Sequence, residues 1–155
     1  MTRSRQLSSE ATPRLGPAAW GAVLRVHAKV VPVLDRELHD ETGLPLTWYD
    51  VLLELNSAPE RRLRMTDLGE RVVLSRTRIS RLVDEMALAG LVGKQPNPTD
   101  RRSAYATISE AGRARLRKAA PVYLRGIEEH FSRHLTAMEL ATLIAALEKV
   151  HAAGS

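Results

Sequence analysis

The chain has 155 residues, enough for one domain with a real core and too few for two ordinary ones. Its apolar residues are mostly Leu, Ala and Val, aromatics make up only 4%, and there is no cysteine; this favours helices over a β-sandwich and excludes disulfides, thiol switches and Cys-based zinc sites. Net charge is +5 and unevenly spread: residues 61–118 carry 14 Lys and Arg against 6 Asp and Glu, while the rest carries 9 against 12, a pattern suited to a polyanion partner.

The N-terminal stretch MTRSRQLSSEATPRLG lacks the apolar core of a signal peptide, and no apolar run reaches the ~18 residues of a membrane span. A cytoplasmic location is expected, with residues 1–16 as a flexible polar tail ahead of a single domain at 17–155. From Pro17 to about Asp40, Trp20, Leu24, His27, Val31, Leu34 and Leu38 recur at three- or four-residue steps, which predicts an amphipathic helix. Pro32 lies inside it, where it removes a backbone donor and should kink the helix. The sequence Thr-Gly-Leu-Pro at 42–45 ends it.

A short helix, TWYDVLLELNSA, is expected to start at Thr47, with Asp50 three residues on in a capping-box-like pair. Pro59 and the charges ERR close it. In MTDLGERVV, Thr66 is placed as the next N-cap, with Leu68 and Val72 on one face. Leu74 and Ser75 break that helix from another, which runs to Gly90, a residue fitted to the left-handed position at a helix end. Residues 91–95 read as a short strand, 96–102 as a turn and 103–109 as its partner. Helix resumes from Glu110 to about His134, with Pro121 expected to bend it. A last helix opens on the capping box Thr136-Ala-Met-Glu139.

The expected fold class is therefore mainly α with a small β-hairpin wing (α+β). It is a winged helix-turn-helix at about 45–109, flanked by dimerisation helices at 17–42 and 110–153. A winged helix needs only the middle of the chain, and apolar stripes on both flanks must pack on something.

With Ile79 at the centre of the buried face of helix 75–88, Leu82, Val83 and Met86 fall on the same side at about 100° per residue. Thr77 and Arg81 then point away, flanked by Arg78 and Ser80, with Ser75 and Arg76 at the start of the helix. Guanidinium and hydroxyl groups so arranged can bond phosphates and base edges in a major groove. A solvated helix face is the competing reading. Arg101 and Arg102 follow on the wing, where an arginine can enter a narrow minor groove. Asp100 is expected to pair with Arg102 or with a helix arginine and orient its guanidinium. Thr66 is read first as a cap and second as a phosphate contact, and Arg61, Arg62 and Arg64 as further backbone contacts.

The stretch LSRTRISRLVDEMALAGLVGKQPNPTDRRSAYATISEAG (74–112) resembles the recognition helix and wing of the MarR family of bacterial transcriptional regulators. The carrying features are Ser-Arg-Leu-Val-Asp at 80–84, Gly-Leu-Val at 90–92, Asp-Arg-Arg at 100–102 and Ile-Ser-Glu-Ala-Gly at 108–112, and the layout extends over about 17–150. The resemblance implies a homodimer, formed by the terminal helices, that binds double-stranded DNA at a palindromic operator and usually represses. By position it makes Arg102 the minor-groove residue and 75–81 the major-groove reader. It also implies a small aromatic or anionic effector in a cleft between the dimer helices and the DNA-binding lobe. Trp20, His27, Trp48 and Tyr49 are the residues to set there, against the competing reading of core or interface packing.

His130 and His134 have metal-ligand spacing, but Glu129 does not complete a site, and solvated surface is preferred; no metal or cofactor is expected. GxGxxG, GxxxxGK[ST] and GxSxG are all missing, so the chain is read as a non-enzyme. The alternative to a sequence-specific regulator is a winged helix used only for protein contacts.

Overall fold

The computed structural model describes residues 7–72 and 76–154, with side chains from 14–72 and 77–154. Helix α1 (Leu7–Thr42) leads into α2 (Leu46–Ser57), a 3-10 turn at Pro59–Arg61 and strand β1 (Arg62–Arg64). Helices α3 (Met65–Arg71) and α4 (Arg76–Leu88) follow, then strands β2 (Val92–Asn97) and β3 (Asp100–Ile108). The chain closes with α5 (Glu110–His130), a 3-10 turn at Ser132–His134 and α6 (Ala137–Ala153). No helix among the described residues is long and apolar enough to cross a membrane.

The core sits where α2, α3 and α4 close over the sheet and over the junction of α1 with α5. Leu38, Leu44, Val51, Leu52, Leu55, Leu68, Ile79, Val83 and Met86 are its largest fully enclosed side chains. Removing such surface from water is the main source of stability. Gly43 and Gly90 adopt φ of +70° and +77°, and each ends a helix in the left-handed region where a Cβ is penalised. α6 begins on the expected capping box: Glu139 N–H donates to Thr136 Oγ1 at 3.2 Å and Thr136 N–H to Glu139 Oε2 at 2.8 Å.

Several expectations are corrected. α1 starts at Leu7, so residues 7–16 are helical rather than a loose tail; residues 1–6 lie outside the described residues. As expected, Pro32 and Pro121 lie inside helices that continue past them, α1 and α5. Thr47 does not cap α2. Pro45 holds that position without a side-chain bond, and Leu46 N–H donates instead to Asp35 Oδ1 of α1 at 2.8 Å. Neither does Thr66 cap α3, whose N-cap position is Arg64. The Leu74–Ser75 break lies outside the described residues.

The sheet has three strands in the order β1-β3-β2, not two. β1 pairs antiparallel with β3 through Arg62↔Thr107, Leu63↔Ala106 and Arg64↔Tyr105. The hairpin turn is also shorter than expected. β2 continues through Pro96 to Asn97 and β3 begins at Asp100, with a register shift between Pro96 and Asn97. Pro96 is tolerated because β2 is an edge strand, where a missing N–H costs no ladder bond. Asp100, Arg101 and Arg102 therefore stand on a strand rather than at the tip of a turn.

Candidate nucleic-acid interface

α4 is amphipathic for a physical reason visible in its spacing. Ile79, Val83 and Met86 enter the core, Leu82 is half-buried, and Thr77, Arg78 and Arg81 are exposed. Ser80 is half-buried at the edge of a groove. Of the expected reader residues, Ser75 and the side chain of Arg76 lie outside the described residues. The others occupy the outward half of the helix.

Between α4 and the wing runs an open groove of about 560 Å³. Arg64 and Thr66 line it from β1 and α3, Ser80 from α4, Lys94 and Asn97 from β2, and Arg102 and Ser103 from β3. Five residues singled out in the sequence, Arg64, Thr66, Ser80, Asp100 and Arg102, thus meet on one surface although they span 39 positions of chain, counted inclusively. Apart from the Asp100 carboxylate, the polar side chains are cations, amides or hydroxyls, donors that phosphate oxygens accept from.

The wing is held by its own hydrogen bonds. Asn97 is buried; its Oδ1 accepts from Thr99 N–H at 3.1 Å and from Thr99 Oγ1 at 2.8 Å, and its Nδ2 donates to Ser103 Oγ at 2.8 Å. Asp100 behaves differently from the expectation. Its Oδ1 accepts from the backbone N–H of Arg102 at 3.0 Å, so it fixes the strand that carries the arginine and not the guanidinium. A short carboxylate side chain reaches an amide two residues on more readily than the end of a long side chain. Arg101 and Arg102 are left exposed on this braced strand.

Two ion pairs set the borders. Lys94 Nζ lies 2.5 Å from Asp84 Oδ1 and ties the wing to α4. Arg64 donates to both carboxylate oxygens of Asp67, at 2.8 and 3.2 Å, a fork geometry that holds the side chain in place. That hydrogen-bonded carboxylate raises the Arg64 pKa further above its ordinary value. Lys94, Asn97, Thr99 and Ser103 were not singled out in the sequence. Their roles depend on strand pairing, and only the Asn-Pro-Thr turn composition at 97–99 hinted at them.

The residues set near an effector cleft differ in exposure. Tyr49 is buried in the core, its ring 4.7 Å from that of Tyr123. Trp48 packs against the core, and Trp20 and His27 lie exposed on α1. His130 bonds Glu37 Oε1 through Nε2 at 2.7 Å, which joins α5 to α1, while His134 lies in the 3-10 turn that follows.

Comparison with known proteins bears on this surface. A sequence model of the MarR family matches residues 42–103, the span from the end of α1 into β3. The chain is 29% identical to the HTH-type transcriptional repressor YetL of Bacillus subtilis over 97 residues; the match takes in 63% of this chain and 54% of that protein, about half its length. Among solved structures, AbsC of Streptomyces coelicolor, a MarR family transcriptional regulator, superposes with a TM-score of 0.80 at 30% identity, covering 90% of this chain and 95% of its own. Sco3205 of the same organism, a MarR family regulator solved in complex with DNA, has a TM-score of 0.80 at 27% identity, with 87% and 84% covered.

Proposed function

Because the chain belongs to the MarR family of transcriptional regulators, we propose that it binds a palindromic operator as a homodimer and represses transcription there. The observation that carries this reading is the groove that gathers Arg64, Thr66, Ser80 and Arg102 beside the exposed face of α4. In this reading 75–81 enters the major groove. Arg76, Arg78 and Arg81 supply forks for guanine edges or phosphates, and Ser75, Thr77 and Ser80 supply hydroxyls. Arg102, with Arg101 beside it, reaches the adjacent minor groove from the braced strand, while Arg64 and Thr66 contact the backbone between them.

The dimer is supported by what the single chain leaves uncovered. On α1, Trp20, Val23, Leu24 and Val26 are exposed; on α6, Met138, Ile144, Leu147 and Val150 are exposed. A two-fold contact through these helices would set two recognition helices about 34 Å apart, the distance between successive major grooves. A small aromatic or anionic effector is part of the same reading. Of the residues expected to contact it, His27 lies exposed on α1, Trp48 is half-buried against the core, Trp20 stands on the face given to the dimer contact and Tyr49 is buried.

The test is a fluorescence-anisotropy titration on an operator duplex recovered by selection from random DNA, at two salt concentrations, for wild type and Arg102→Ala. Tight binding that falls steeply with salt, and about 10-fold or more weaker binding by the variant, is the expected result. Equal affinity for selected and random DNA would overturn it in favour of a winged helix that recognises another protein.

A further inference from the structure

The sheet has a second face. Leu63 and Ala106 point into the core, so the alternation of a strand sends Arg62, Arg64 and Tyr105 to the opposite side. There Arg62 lies over the Tyr105 ring, 4.8 Å from its centroid. Arg71 of α3 joins them in a shallow groove of about 380 Å³. Arg64 also lines the groove beside α4, so the two grooves meet at one side chain.

Each of the three arginines is held by an exposed or half-exposed carboxylate: Arg62 by Glu60, Arg64 by Asp67 and Arg71 by Glu54. The Arg62 and Arg71 pairs, without a second hydrogen bond, are weak and screened, and a phosphate, with more charge and more acceptor oxygens, exchanges readily for the carboxylate. Stacking on Tyr105 keeps the Arg62 guanidinium flat while leaving donors along its edge.

We propose that this outer sheet face, built from Arg62, Arg71 and Tyr105 with Arg64 at its border, is a second DNA-backbone contact that grips phosphates flanking the operator, beyond the reach of α4 and Arg102. The proposal rests on the DNA-binding reading above and extends its footprint outward from the wing. Arg62 and Arg71 act as point contacts that carry affinity and no base preference.

The experiment compares the selected operator trimmed to its core with the same operator extended by about one helical turn of unrelated sequence on each side. Wild type, Arg62→Gln, Arg71→Gln and Glu60→Gln are titrated on both. Wild type binds the extended duplex several-fold more tightly, with a steeper salt dependence. Each Arg→Gln variant loses that gain and lowers the salt slope by about one per protomer, while binding the trimmed duplex as wild type does. Glu60→Gln, which frees Arg62 and removes a repelling charge, binds the extended duplex more tightly, a gain that misfolding cannot produce. Identical ratios between the duplexes for all four proteins would overturn the proposal with operator binding intact. Failure of wild type to prefer either duplex over random DNA would overturn the DNA-binding reading itself.

Discussion

In the winged lobe, Leu52, Leu55, Leu68, Ile79, Val83 and Met86 are closed off from solvent by other elements of the same chain, whereas α6 buries no residue at all. The outward half of α1 is similar, with Trp20 63% exposed and Leu24 49% exposed. α6 has the better-formed start, with its reciprocal capping box, and is rich in Ala, Leu and Met. Local helix signals and burial are thus separable. Caps and propensity make a helix, but only a partner surface gives it a place in a fold. The lobe finds its partner within the chain, whereas α6 and the outward half of α1 leave their apolar side chains uncovered in it.

The largest effect should follow from spoiling the arms alone. Leu147→Glu together with Val150→Glu places two charges on the apolar stripe of α6 and touches nothing buried in the chain. Sedimentation should report a monomer whose lobe remains helical. Operator affinity should fall by about 100-fold or more, because two linked half-site contacts become independent ones. A dimer that survived both charges would mean that α6 is a solvated appendage and that the arms meet through α1 only.

The same contrast explains what could be read in advance. The α4 face was legible because Ile79, Val83 and Met86 follow the helical period, and Gly43, Gly90 and the Thr136 box are local signals. β1 was not legible. Three residues, Arg-Leu-Arg, become a strand only by pairing with Tyr105–Thr107, over forty positions away. Asp35 as the partner of the Leu46 amide was hidden for the same reason, since nothing near Thr47 points to a carboxylate on the preceding helix. In the interface, Arg102 and the α4 residues announced themselves by type and position. Lys94 and Ser103 depend on register, and Asp100 could not be assigned to a backbone amide before the strand bounds were known.

A middle-sized effect is expected where α2 of the lobe meets α5 of the arm. Asp50 is half-buried there, and burial, with the Glu54 charge second, pushes its pKa up from 3.8 to about 6. Tyr123 of α5 and Tyr49 are its titratable neighbours, and its charge helps raise both. Glu54 itself is paired with Arg71. A folded pKa above the unfolded one means that the fold takes up the proton. Stability is complete below about pH 4 and is lost as pH rises to about 6, since the native state binds more protons than the unfolded chain. Asp50→Asn should therefore stabilise the protein at pH 7. After allowance for screening of a partly exposed group, the gain is about 1 kcal/mol, or roughly 3 °C in Tm. Thermal unfolding of both proteins at pH 4 and pH 7 checks this, and the gain should vanish at the lower pH. An equal gain at both would point to helix propensity or packing instead.

The smallest effect belongs to the turn that delivers β1 to the sheet. Glu60 and Arg61 hold φ of +53° and +55°, two consecutive side-chain-bearing residues in the left-handed region. Each would ordinarily cost about 1–2 kcal/mol against a glycine in the same conformation. The turn persists because it sets Arg62 and Leu63 against Thr107 and Ala106, with Leu63 closing the core from that side. Arg61→Gly removes one of the two penalties and gives back part of the gain as unfolded-state entropy, so a net stabilisation of about 0.5 kcal/mol is expected by denaturant titration. The m-value should not change, because the buried surface is the same. Since the arms contribute nothing to this turn, the gain should be equal in wild type and in the Leu147→Glu, Val150→Glu background when each is compared at fixed oligomeric state. A gain that appeared only in the dimer would mean that lobe and arms share their stability, and that the division drawn between them is one of shape alone.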